Sequence, residues 1–176
     1  METSTGDHMT RIRGGLMLCA LVLTGALSPM NVRAQTGTSQ VSPSVQQHVE
    51  QRIQPLLDEM TVAANAHDTD RFLAAYLHQP ELVFVFNGEV IRGLDSVRTL
   101  QLKWWNNGKS DVVYAERVPA QITALTPDIA IVVQAMKSQR TLPSGAVSSG
   151  NFAITQVWQK RPEGWRIIQV HESTAR

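Results

Sequence analysis

The sequence predicts an α+β domain in which a curved, mostly antiparallel sheet wraps around three helices. Three observations support this fold class. Apolar residues recur at helical spacing in the first part of the domain, an Asn-Gly pair separates two β-rich runs, and the last part consists of strand-like segments separated by turn residues. The chain has 176 residues, which is long enough for one ordinary domain with a real hydrophobic core.

The helices are predicted from periodicity and capping residues. A long first helix begins near Ser44, and its apolar stripe comprises Val45, Val49, Ile53, Leu56, Leu57, Met60 and Ala64. Pro55 either kinks this helix or starts its second part. The stretch "HDTDRFLAAYL" restarts a helix with Asp68 or Thr69 as its cap, and "LDSVRTLQLKWW" forms a third helix that "NNG" ends.

The strands are predicted from alternation and turn signals. Asn87-Gly88 between "ELVFVF" and "EVIRG" is typical of a two-residue β-hairpin turn. Four further strands follow as a meander, in "DVVYAERVPAQITALT", "DIAIVVQAMKSQRTL", "GNFAITQVWQKR" and "GWRIIQVHEST". The segments "TPD", "LPSG" and "RPEG" that separate them are rich in turn-forming residues.

The N-terminus predicts a secretory signal peptide over residues 1–34. Arg11 and Arg13 precede the short apolar run "LMLCALVLTGAL", and Ala34 ends a segment suited to cleavage. We therefore expect a secreted protein, in the bacterial periplasm, with a flexible linker over residues 35–43 and a domain over residues 44–176. The alternatives are a retained membrane anchor and a lipoprotein acylated at Cys19, which lacks the small residues that should precede it.

Charge and cysteine usage exclude several functions. The 16 Lys and Arg nearly balance the 15 Asp and Glu and form no basic run, so nucleic acid is not expected as a partner. The only cysteine, Cys19, leaves with the predicted signal peptide, which removes any thiol nucleophile or thiolate ligand. The scattered His48, His67 and His78 lack metal-site spacing, so we expect neither a metal nor a cofactor.

The end of the chain resembles the nuclear transport factor 2-like superfamily, in particular the SnoaL-like group, which includes the association domain of calcium/calmodulin-dependent kinase II. The stretch "VWQKRPEGWRIIQVHES" is similar to the C-terminal hairpin of that superfamily, although Gln169 stands where a histidine is often found. The resemblance covers roughly residues 53–174. It implies a cone-shaped sheet around three N-terminal helices, a pocket at the wide end of the cone, and a homodimer formed through the outer sheet face.

The resemblance also assigns site residues. It places Glu172 in the pocket, with Gln134 and Gln156 on neighbouring strands. Alternation along the last strand then puts Trp165, Ile167 and His171 on the opposite, outward face, toward a partner subunit. Among residues that could line an apolar pocket we select Tyr76, Phe86, Trp104 and Met136. Neighbouring Trp104 and Trp105 are not expected to face the same side of a helix.

Because this fold serves many activities, function has to be inferred from the site. We expect a dimeric protein that binds a small apolar or aromatic molecule and contacts no membrane after signal cleavage. The catalytic aspartate of a ketosteroid isomerase is missing from the region of Val85 and Asn87. One alternative is an isomerase, dehydratase or cyclase with Glu172 as general acid/base and Tyr76 as hydrogen-bond donor. The other is an oligomerisation module.

Overall fold

The computed structural model of the chain describes residues 41–174. The predicted signal peptide and most of the predicted linker lie outside these residues. Helix α1 spans Pro43–Asn65 and begins with Ser42 as its N-cap, whose side chain accepts a hydrogen bond from the backbone N–H of Val45. The helix thus starts one residue earlier than expected, with Pro43 in its first turn, where the missing N–H is harmless. It continues without interruption through Pro55.

The two other predicted helices are present. Helix α2 spans Thr69–Leu73, and the Asp68 side chain accepts a hydrogen bond from the backbone N–H of Arg71. It is shorter than predicted, because the chain beyond it pairs with the last strand of the sheet: the N–H of Leu77 donates to the carbonyl oxygen of Ile167 at 2.9 Å. Helix α3 spans Leu94–Trp104.

Seven strands form one curved sheet. Strands β1 (Val83–Phe86) and β2 (Glu89–Arg92) form the predicted hairpin around Asn87 and Gly88, both of which have positive φ. The remaining strands are β3 (Val113–Glu116), β4 (Gln121–Thr126), β5 (Ile129–Thr141), β6 (Val147–Arg161) and β7 (Gly164–Thr174). The order is β2-β1-β7-β6-β5-β3, with β4 also paired to β5.

The sheet confirms the predicted fold class with one difference in strand number. Every pairing between strands is antiparallel except that of β1 with β7. The segment expected as one strand is divided into β3 and β4, which pair with successive parts of β5. Pro119 lies between them and has no N–H to donate to a ladder, so pairing stops there.

A bulge in β7 changes which residues face the core. Val157 pairs with Gln169, but the next residue of β6, Trp158, pairs with Ile167, so Ile168 is left without a partner. An extra residue on one strand shifts the alternation of side chains by one position. Trp165 and Ile167 therefore face the same side as Val170, and all three are buried.

The hydrophobic core lies between α1 and the concave face of the sheet. Its most buried members include Ile53 and Leu57 of α1, Val132 of β5 and Trp158 of β6, each with at most 1% of its surface exposed. Among residues 41–174, no helix combines the length and apolar character needed to cross a lipid bilayer.

Candidate functional site

A cavity of about 460 Å³ occupies the wide end of the cone, between the concave sheet face and the helices. Most of its wall is aromatic or aliphatic. All the predicted pocket residues lie on this wall, namely Tyr76, Phe86, Trp104, Gln134, Met136, Gln156 and Glu172. Leu57 and Met60 of α1 close the side opposite the sheet.

The register of the sheet determines how the polar side chains are spaced. Glu172 pairs with Ile154 on one side and with Phe86 on the other, and Ile154 in turn pairs with Gln134. Gln134 and Glu172 are thus two strands apart, roughly 10 Å between their backbones. The apolar side chain of Ile154 lies between them.

Glu172 is the one acidic residue on the cavity wall. Its side chain is half-buried, and burial alone raises the pKa of the carboxyl to about 7. Desolvation disfavours the charged form, and within residues 41–174 neither a hydrogen bond nor a neighbouring cation offsets it. Near neutral pH both protonation states of this group are therefore populated, whereas an ordinary glutamate is almost entirely ionised.

Tyr76 is held against the same cavity by the backbone of β7. The N–H of Ile167 donates to the carbonyl oxygen of Ala75 at 2.9 Å, and Tyr76 forms a parallel bridge with Ile167. Its ring is 2% exposed. Burial, and secondarily the charge of Glu172, raises the pKa of the phenol well above its usual range, so the hydroxyl remains a hydrogen-bond donor at neutral pH.

Gln134 and Gln156 belong to a chain of hydrogen bonds along the concave face. The indole N–H of Trp158 donates to Gln156 Oε1 at 2.8 Å, Gln156 Nε2 donates to Gln134 Oε1 at 3.3 Å, and Gln134 Nε2 donates to Glu116 Oε1 at 2.9 Å. The indole nitrogen of Trp158 can only donate, so Gln156 must present its oxygen to it. This series of hydrogen bonds therefore fixes the orientation of the side-chain amides of Gln156 and Gln134. Part of their hydrogen-bonding capacity is therefore used within the protein.

Trp104 and Trp105 both line the cavity, although they are neighbours in the sequence. Helix α3 ends at Trp104, so Trp105 no longer follows the helical rotation. Trp104 contacts Phe86 with ring centroids 4.8 Å apart. Trp105 is 1% exposed, and its indole N–H donates to the hydroxyl of Tyr114 at 3.0 Å.

The predicted outward face of β7 requires a correction. Trp165 and Ile167 are 4% and 0% exposed and belong to the core of the chain itself, whereas His171 is exposed on the convex face. The bulge at Ile168 is the reason, because it moves the two groups of residues to opposite faces. Trp165 and Ile167 therefore cannot contact a partner subunit through that face, and His171 remains a candidate.

Among the wall residues that the sequence-based interpretation missed, two carry ionisable side chains. Tyr114 of β3 faces the cavity, and its pKa is raised mainly by burial. Arg140 of β5 also lines the cavity and is exposed. The alternation in "VVYAE" could have indicated Tyr114, but the position of Arg140 depends on how far β5 extends past its neighbours.

Among the described residues, no group of three His, Cys, Asp or Glu side chains could hold a metal ion.

Comparison with protein families identifies the chain. Residues 53–176 match the sequence profile of the SnoaL-like domain, so the chain belongs to the SnoaL-like domain family. The resemblance noted at the C-terminal hairpin is thereby confirmed. Among curated proteins, the sequence comparison finds no match.

Solved structures share the same fold. The association domain of calcium/calmodulin-dependent kinase II from C. elegans is 18% identical, with a TM-score of 0.62 over 73% of this chain and 98% of that one. A ketosteroid isomerase-like protein from Erwinia carotovora atroseptica is 18% identical, with a TM-score of 0.58 over 72% and 95%. A nuclear transport factor 2-like protein of unknown function from Shewanella oneidensis MR-1 is 24% identical, with a TM-score of 0.58 over 71% and 98%. Identities this low establish the fold alone.

Proposed function

We propose that this chain is a secreted, periplasmic, homodimeric protein that binds a small apolar or aromatic molecule in the cavity at the wide end of the cone. The observation that carries the proposal is the cavity itself, about 460 Å³ and lined mainly by aromatic and aliphatic side chains. Small-molecule sites in proteins have this size, a predominantly apolar lining and a few polar groups that orient the ligand.

The polar groups of the cavity have different roles in this proposal. Gln134 and Gln156 are held by the hydrogen-bond chain that runs from Trp158 to Glu116. They shape the polar side of the cavity and retain limited capacity for a ligand. No donor from residues 41–174 reaches the Glu172 carboxyl, so a ligand would complete its hydrogen bonding.

Uptake of a neutral apolar dye such as Nile red tests this proposal. We expect the wild-type protein to enhance the fluorescence of the dye. Met136→Trp places a larger side chain at a cavity residue that is 6% exposed, so it should abolish the enhancement. Lys137→Trp is the matched control, since its side chain points to the opposite face of the same strand and is exposed.

Three results decide the matter. Loss of dye binding in Met136→Trp but not in Lys137→Trp supports binding in the cavity. Equal dye binding by both variants places the dye elsewhere, and a wild-type protein that takes up no dye contradicts the proposal. Circular dichroism of both variants establishes that they remain folded.

The second candidate function is acid/base catalysis of the isomerase or dehydratase type. It is favoured by the Glu172 carboxyl, whose pKa of about 7 suits proton transfer at neutral pH, together with the protonated hydroxyl of Tyr76. One relative of the same fold is described as ketosteroid isomerase-like. An active protein should show a pH–rate profile whose acidic limb disappears in Glu172→Gln, and an unchanged limb would eliminate this role.

The homodimer is proposed from the convex face of the sheet. On this face Ile131 and Val157 pair across β5 and β6, next to Val133, which is 40% exposed. His171 and Thr155 pair beside them and are exposed. Burial of such a row against a second subunit would remove apolar surface from water.

Sedimentation of a Val133→Glu variant tests the interface, because a buried unpaired charge there should dissociate the dimer. A variant that remains dimeric would contradict this face. The control is Val90→Glu on the edge strand β2, where the side chain is 57% exposed. An oligomer that neither binds dye nor turns over a substrate would instead favour an oligomerisation module, the role suggested by the association domain that shares this fold.

A further inference from the structure

Among the described residues, no side chain forms an ion pair with Glu172. Among residues 41–174, the ion pairs join Arg71 to Glu59, Arg98 to Asp70 and Lys160 to Asp128, and none of them includes Glu172. A carboxylate in an apolar cavity is unfavourable unless a cation or hydrogen-bond donors compensate it.

A cluster of aromatic rings begins at the strand neighbour of Glu172. Phe86 is the direct neighbour of Glu172 on β1, and Trp104 packs on Phe86 with ring centroids 4.8 Å apart and on Phe84 with centroids 5.9 Å apart. The faces of aromatic rings carry a partial negative charge and attract cations. Carboxylate and ring faces together therefore form an environment suited to a positive charge.

We propose that the ligand of this cavity is an organic amine, with its ammonium group beside Glu172 and the aromatic cluster and its apolar body along α1 and the centre of the sheet. This inference rests on the proposed binding function and specifies the class of ligand. The ammonium group supplies the hydrogen-bond donors and the positive charge that Glu172 lacks. The apolar body replaces water against Leu57, Met60 and Ile154.

The other ionisable groups around the cavity are two neutral phenols, one carboxyl group and one exposed arginine. Tyr76 and Tyr114 stay protonated because burial raises the pKa of both phenols. Glu116 on β3 is acidic and accepts a hydrogen bond from Gln134. Arg140 is the one basic residue of the cavity wall and is exposed. Helices α1 and α3 and strands β1 and β6 contribute no ionisable side chain to the wall.

Two matched probes test the inference. 2-Phenylethylamine and 2-phenylethanol have the same ring and chain and differ in whether the terminal group is a cation. Their affinities are measured by isothermal titration calorimetry at pH 6 and pH 8. An alkylamine stays protonated over this range, as the lysine ammonium does. With a pKa of about 7, Glu172 goes from roughly 10% to roughly 90% ionised, so amine affinity should rise about ninefold.

Variants connect this pH dependence to one residue. Glu172→Gln should lower amine affinity at pH 8 by roughly tenfold or more and remove the pH dependence, while alcohol affinity changes little. Glu163→Gln is the matched control, since Glu163 is exposed in the turn between β6 and β7, at the opposite end of β7 from Glu172. Circular dichroism verifies that both variants fold.

The outcomes separate the two proposals. Amine affinity that rises with pH and depends on Glu172 supports the inference. If the alcohol binds as tightly as the amine, or if Glu172→Gln retains the amine affinity, the ligand class is wrong while binding in the cavity stands. If neither probe binds and Nile red is not taken up, both the ligand class and the binding function are wrong.

Discussion

Replacing Glu172 by glutamine should make the protein more stable at neutral pH. The carboxyl has a pKa of about 7 in the folded chain, against an ordinary value of 4.5. Between these values the folded state binds more protons than the unfolded state, so the free energy of unfolding falls as pH rises from 4.5 to 7. Above pH 7 the loss is complete. At 1.36 kcal/mol per pH unit, the loss amounts to about 3 kcal/mol.

The variant cannot ionise at this position, so it should escape this loss. Urea unfolding at pH 4 and pH 8, at one protein concentration, measures the difference in the free energy of unfolding between variant and wild type. We expect that difference to grow by about 3 kcal/mol in favour of Glu172→Gln between the two pH values. Any pH-independent effect of the amide on stability cancels in this comparison. The titration of the histidines also cancels, because variant and wild type share the same histidines.

Glu163→Gln provides the reference, since the side chain of Glu163 is exposed. The difference in the free energy of unfolding between Glu163→Gln and wild type should change by less than about 0.5 kcal/mol from pH 4 to pH 8. A Glu172→Gln difference that is equally flat would refute the reasoning, because it would show that the carboxyl remains hydrated in the folded protein.

Three further predictions concern the cavity wall and its supports. Gln156→Leu should lower the free energy of unfolding by about 2–4 kcal/mol, because it leaves the buried indole N–H of Trp158 without an acceptor. An equal effect of Gln159→Leu, on the convex face, would contradict the role of Gln156 as that acceptor. In a double-mutant cycle, Trp105→Phe and Tyr114→Phe should show a coupling of about 1 kcal/mol through their hydrogen bond, and additive effects would exclude it. Gly88→Ala should lower the free energy of unfolding by about 1 kcal/mol, because φ is +91° there, and an unchanged urea midpoint would argue against the tight hairpin turn.

Much of the fold follows from local signals in the sequence. The apolar stripe of α1, the capping side chain of Asp68 and the Asn87-Gly88 turn each depend on neighbours within a few residues. Such signals can be recognised without knowledge of the rest of the chain. The division between β3 and β4 at Pro119 could also have been recognised, because proline interrupts a ladder.

The faces of β7 could not be assigned from alternation. Ile167 and Ile168 are adjacent and apolar, so the sequence does not reveal which of them is left unpaired. At the bulge β7 contacts both β6 and the segment after α2, which the sequence does not place beside it. The placement of Glu172 on the cavity wall came from the resemblance to a known family and not from alternation along β7. Trp165 and Ile167 had only alternation to rely on, and that assignment was wrong.

The most direct test of the central claim is native mass spectrometry of the protein exported to a periplasm, with the wild type and Met136→Trp measured side by side after addition of Nile red. We expect a dimer whose subunits begin at Gln35 and, for the wild type alone, an added mass of the dye or of a molecule retained from the cell. Subunits without added mass in both proteins, or the same added mass in both, would contradict binding in the cavity.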